Sequence, residues 1–109
     1  MKSPFRIKKA ALDDLRDIAS YTRKTWGNEQ EEVYMKGIFS CFERIANHQT
    51  YNRDLSGIVS DCLVHKISHH LIIFRWLDDG RPEIIRVLHE KRSNLWGQAL
   101  VIAVHCHRW

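Results

Sequence analysis

HLIIFRWLDDGRPEIIRVLHEKR, His70 to Arg92, reads as a β-hairpin running into a short basic segment. Two runs rich in Ile, Val, Leu and aromatics flank Asp78-Asp79-Gly80. Asp-Gly between apolar runs is a strong hairpin signal, because glycine adopts the positive φ that tight turns need. With Asp79 and Gly80 as the loop, Arg75 faces Ile84, Phe74 faces Ile85 and Ile73 faces Arg86. A side-chain period of two then predicts Ile72, Phe74, Trp76, Ile85 and Val87 on one face. Leu71, Ile73, Arg75, Ile84, Arg86 and Leu88 fall on the other, an apolar face carrying two arginines.

Upstream, residues 62–67 alternate, with Leu63, His65 and Ile67 on one side, so a third strand joins through a turn at Ser68-His69. Residues 49–60 are polar and aperiodic, which predicts a loop. Before that loop, Leu12, Leu15, Ile18, Ala19, Thr22 and Trp26 recur at helical spacing, and Gly27 suits the end of that helix. Asn28 and Glu31 have the spacing of a capping box for a second helix, which presents Tyr34, Ile38, Cys41, Phe42 and Ile45 on one face. So short a connection makes the two helices antiparallel. Lys8 or Lys9 stands where Ser or Thr would cap the first helix. Phe5 to Lys8 alternates briefly, as an edge strand would. The expected fold is therefore α+β: an N-terminal helical hairpin packed on a small antiparallel β-sheet.

The 109 residues suit one domain with a single core. The expected domain is 1–97, followed by an apolar tail, 98–109, of unassigned structure. A net charge of +4 and a pI near 9.2 hint at an acidic or polyanionic partner. Cys41, Cys62 and Cys106 form no CxxC pair, and no apolar run reaches membrane-spanning length, so the expectation is a cytoplasmic protein without a disulfide framework.

Taken in order, LDDLRDIASYTRKTWG (12–27), FERIANHQ (42–49) and IIFRWLDDGRPEIIRVLHEKR (72–92) resemble the ParE toxins of type II toxin–antitoxin modules, within the RelE/ParE superfamily. Asp14-Leu15, Ile18, Tyr21, Trp26 and Gly27 match the helix-end pattern of such toxins. Phe74-Arg75, the Asp78-Asp79-Gly80 turn, Ile84-Ile85-Arg86 and His89 match their strand-turn-strand. The resemblance implies a toxin of a plasmid- or chromosome-stabilising module, neutralised by a cognate antitoxin. ParE-branch members inhibit or poison DNA gyrase and are not enzymes. RelE-branch members cut messenger RNA on the ribosome, and the shared fold does not choose between them.

The residues bear on that choice. Metal-free RNA cleavage needs an acid or base and cations for phosphate charge, and His89, Arg75, Lys66 and Arg92 are the candidates. However, the arginine that opens the third strand in RelE-like nucleases is matched by His70, the one after the last strand by Glu90, and the C-terminal tyrosine by Trp96. An indole has no transferable proton, and a carboxylate repels phosphate. The gyrase reading is therefore preferred, the nuclease or a non-toxic binding member being the alternative. The resemblance places target inhibition after the last strand, at His89, Lys91, Arg92, Ser93 and Trp96. The expected antitoxin surface is Leu71, Ile73, Arg75, Ile84, Arg86 and Leu88. His105-Cys106-His107 lacks a second ligand pair, so no metal and no cofactor is expected. No glycine-rich phosphate loop or helix–turn–helix accompanies the positive charge, so sequence-specific nucleic-acid binding and membrane association are not expected.

Overall fold

The structure, a computed structural model, describes residues 3–55 and 61–90. Helical spacing in the first half becomes α1 (Lys9–Trp26) and α2 (Asn28–Ala46). Lys8 precedes α1 with no side-chain cap. The buried stripe of α1 is Ala11, Leu15 and Thr22, while Leu12 and Trp26 face outward, which corrects the expected stripe. Spacings of four and eleven from Ala11 set the inward face, a position too small to stand out in the pattern.

Gly27 alone joins the helices, with φ 97° and ψ 172°. It ends α1, its N–H reaching the Arg23 carbonyl, and its own carbonyl accepts from the Glu31 N–H at 3.1 Å. Asn28 is thus already helical and caps nothing, contrary to the capping-box expectation, and the Glu31 carboxylate pairs with Arg23 at 3.5 Å instead. That backbone conformation is essentially restricted to glycine. A Cβ here would meet no atom within 4 Å, so Gly27→Ala carries backbone strain alone. It is expected to lower unfolding free energy by about 2 kcal/mol. An unchanged urea midpoint would contradict this.

The sheet contains β1 (Arg6–Ile7), β2 (Arg53–Asp54), β3 (Leu63–Ile67), β4 (His70–Trp76) and β5 (Pro82–His89), in the order β1-β5-β4-β3-β2. Only its β2-β3-β4-β5 pairings are antiparallel. β1 runs parallel to β5, which makes the sheet mixed. β2 lies inside the stretch read as loop, where two residues are too few to show a period.

The hairpin register differs from expectation in an informative way. Leu77 N–H bonds the Arg81 carbonyl and Gly80 N–H the Leu77 carbonyl, so Asp78, Asp79 and Gly80 make a three-residue loop with Gly80 at φ 87°. Next to the turn, Phe74 therefore faces Ile84 and Arg75 faces Glu83. A β-bulge then inserts Ile85, and from Ile73 opposite Arg86 outward the expected register returns. Consequently Ile84 and Ile85 exchange faces. Ile84 joins Ile72, Phe74 and Val87 beneath the helices, against Ala11, Leu15, Ile38, Cys41, Phe42 and Ile45. Ile85 joins Leu71, Ile73, Val64, Cys62 and Leu55 on the far face, with Leu88 beside them.

Candidate functional site

Asp14, in the second turn of α1, reaches the edge of β5 where β1 has ended. Its carboxylate accepts from Arg86 Nε at 2.8 Å and Nη2 at 3.0 Å, and from the Val87 N–H at 3.0 Å. The hydrogen bonds from Arg86 raise the affinity of that guanidinium for its proton. This clamp forms one wall of an open groove of about 1110 Å³ between the helices and the β4–β5 end of the sheet. Tyr21 and Trp26, residues 59% and 71% exposed, line it, and Gln30, Tyr34 and Ser68 add polar groups. Exposed aromatic rings beside a concavity are typical anchors for a protein partner.

At the sheet end of the groove sit three imidazoles. His70 opens β4 opposite His89, their rings edge to face at 5.0 Å, and His69 stacks on His89 at 6.2 Å. The Tyr34 hydroxyl of α2 is hydrogen-bonded to His70 Nδ1. Burial, then the neighbouring His89 and His69, depress the His70 pKa from 6.5 to about 4. Burial also raises the Tyr34 pKa, keeping its hydroxyl protonated. Glu90 accepts from Lys66 Nζ at 2.8 Å and His69 Nδ1 at 2.9 Å, and those bonds hold its pKa down at about 2.

The cations proposed for phosphate chemistry do not converge. Lys66 is bound to Glu90, and Arg75 donates to Glu83 at 3.0 Å. Glu83 is only 3% exposed and also lies 3.6 Å from Arg6, so this carboxylate ties β1, β5 and β4 together. Lys66 stands opposite Leu71, four residues along β4 from Arg75, which is about 13 Å at strand spacing. His89 lies at the Lys66 end.

The six residues expected to meet an antitoxin do not form one surface. Ile84 is in the core under the helices, a correction that follows from the bulge. Leu71 and Ile73 are buried in the far-face cluster with Leu88 beside them, while Arg75 and Arg86 are engaged by Glu83 and Asp14. Lys91, Arg92, Ser93, Trp96, the tail 98–109 and its His105-Cys106-His107 lie outside the described residues. Among those described, no group of three or more His, Cys, Asp or Glu could hold a metal, and no helix is long and apolar enough to cross a membrane. Cys41 and Cys62 are buried in different clusters.

Sequence reading missed Asp14, Tyr34 and Glu83 as organising groups. A three-residue loop would have placed Glu83 opposite Arg75. No local signal points to the other two, whose partners lie 72 and 36 residues away.

A helical hairpin on one face of a five-stranded mixed sheet is the α+β arrangement of RelE/ParE-type toxins. Residues 5–94 match the family described as "ParE toxin of type II toxin-antitoxin system, parDE". The chain is 31% identical over 90 residues to Toxin ParE1 of Caulobacter vibrioides, covering 83% of this chain and 92% of that one. It is 25% identical over 91 residues to Toxin ParE1 of Mycobacterium tuberculosis, covering 84% and 93%. It is 29% identical over 79 residues to Toxin ParE of Escherichia coli, covering 72% and 76%. The chain belongs to the ParE toxin family of type II toxin–antitoxin systems.

Proposed function

We propose that this protein is a cytoplasmic toxin that inhibits or poisons DNA gyrase by binding it, and that a cognate antitoxin neutralises it by covering the toxin. One observation carries the non-catalytic reading. Lys66, Arg75 and Arg86 are each engaged by a carboxylate of the same chain, so none is presented as an unopposed cation for a phosphorane. Of the two positions where the resemblance puts arginines in the ribonuclease branch, His70 lines the groove, and Glu90, after β5, is a carboxylate bound to Lys66 and His69. Exposed Tyr21 and Trp26 beside that groove supply the kind of anchor a protein partner uses.

Purified toxin is expected to reduce supercoiling by purified gyrase and to leave ribosomal translation running. Co-expression with the product of an adjoining antitoxin gene is expected to restore growth. Translation arrest with unaffected gyrase would overturn the reading in favour of messenger cleavage.

A further inference from the structure

The face of the sheet turned away from the helices is apolar across three strands. Val64 of β3 stands opposite Ile73 of β4, Ile85 bulges from β5 on the same face, and two residues along β4 Leu71 stands opposite Leu88. Ile85, Ile73, Val64 and Leu71 are only 0%, 1%, 6% and 9% exposed. Among the described residues no helix side chain belongs to this cluster, and Leu55 and Cys62, which join it from beyond β3, β4 and β5, lie at its β2–β3 end. Side chains on an uncovered sheet face keep their outer atoms in water. These do not, so a further part of a polypeptide lies over them. We propose that the C-terminal run 99–104 of this same chain covers the far face, leaving the sheet between two apolar layers.

Place, reach and composition converge on that run. β5 ends at His89, next to the Leu71–Leu88 pair, so the chain leaves the sheet at one end of the patch. From Glu90 to Ala99 the chain reaches about 13 Å if helical and about 30 Å if extended, while three strands span about 10 Å. Either reach suffices. Ala99-Leu100-Val101-Ile102-Ala103-Val104 carries no polar side chain, so its burial needs a seat that is apolar throughout, as the far-face cluster is. The groove on the helix side is a poor match by comparison. Asp14, Asp17, Thr22, Gln30 and Ser68 line it, and against this run none would find a side chain able to hydrogen-bond.

With the run seated there, residues 91–98 form a span held at both ends, by β5 and by the covered face. Lys91, Arg92, Ser93 and Trp96, linked by resemblance to target inhibition, fall within it. A partner in the groove and the C-terminal run would then occupy opposite faces of the sheet. The cover itself does not depend on which target the toxin takes.

Methyl nuclear magnetic resonance on the full chain tests this directly. Cross-peaks are expected from the methyls of Leu100, Val101, Ile102 or Val104 to those of Leu71, Ile73 or Ile85. Their absence, or cross-peaks to Ile18 and Val87 in the groove instead, overturns the proposal. So do cross-peaks that arise only between differently labelled chains in a mixed sample, since a second copy would then be the cover. The two buried thiols give an independent reading, because Cys62 lies in the far-face cluster and Cys41 under the helices. In the full chain carrying Leu100→Asp and Ile102→Asp, alkylation of Cys62 is expected to quicken at least about tenfold, as the charged run leaves its seat, with Cys41 unchanged. An unaltered Cys62, or an equal gain at both thiols, overturns the proposal.

Discussion

Phe42→Ala is expected to cost about 4 kcal/mol of unfolding free energy, the range for deleting a fully buried aromatic ring. Phe42 is completely buried, and its ring meets Phe5 and Phe39 edge-on, each at 5.4 Å. Phe5 precedes β1, so this contact also fixes where the N-terminal strand approaches the sheet. Against a typical total of about 5–15 kcal/mol, the loss would leave much of the protein unfolded at moderate temperature. Phe39 offers the control. It touches the same rings but is 38% exposed, so Phe39→Ala is expected to cost under about 1.5 kcal/mol. Equal shifts in the urea midpoint for the two variants would show that ring burial is not what matters here.

Asp14→Ala is expected to cost about 3 kcal/mol. Two terms combine. The Arg86 guanidinium loses a bidentate partner in a place where the pair is 28% and 14% exposed, so it merits less than a fully buried pair but more than a surface one. The Val87 N–H, at the edge of β5, loses its acceptor as well. Asp14→Asn keeps an acceptor oxygen and is expected to cost roughly half as much. Removing Arg86 too, as in Asp14→Ala with Arg86→Met, should recover part of the loss, because no guanidinium is then stranded. A single-variant loss below about 1 kcal/mol would mean that the clamp is incidental.

The residues show why some of the architecture was legible in the sequence and some was not. Helix boundaries, the helical hairpin and the strand pair about Asp78-Asp79-Gly80 followed from period and from glycine, which are local properties. The bulge was hidden because Ile84 and Ile85 are both apolar, so either could have served either face. Two and three residues of loop also differ by one step of register that composition does not record. The site was less legible than the fold. Arg75 and Arg86 were visible as cations on a strand, but their partners Glu83 and Asp14 are set by the loop length and by a helix 72 residues away. A charge is a local fact, whereas its neutralisation is a tertiary one. Tyr34 and His70 meet for the same non-local reason, 36 residues apart.

The contacts that close the sheet onto the start of the chain span nearly its whole described length. Lys8 N–H bonds the Ile84 carbonyl, Arg6 reaches Glu83, and Asp14 holds Val87. During synthesis, α1 and α2 are made before β5, with the apolar stripe of each helix awaiting its floor. The β4–β5 hairpin, whose pairing is local, can form in microseconds once translated, whereas docking β1 and α1 onto it must close a loop of more than 70 residues. A nascent chain interrupted before β5 therefore lacks both the groove wall that β5 supplies and the clamp.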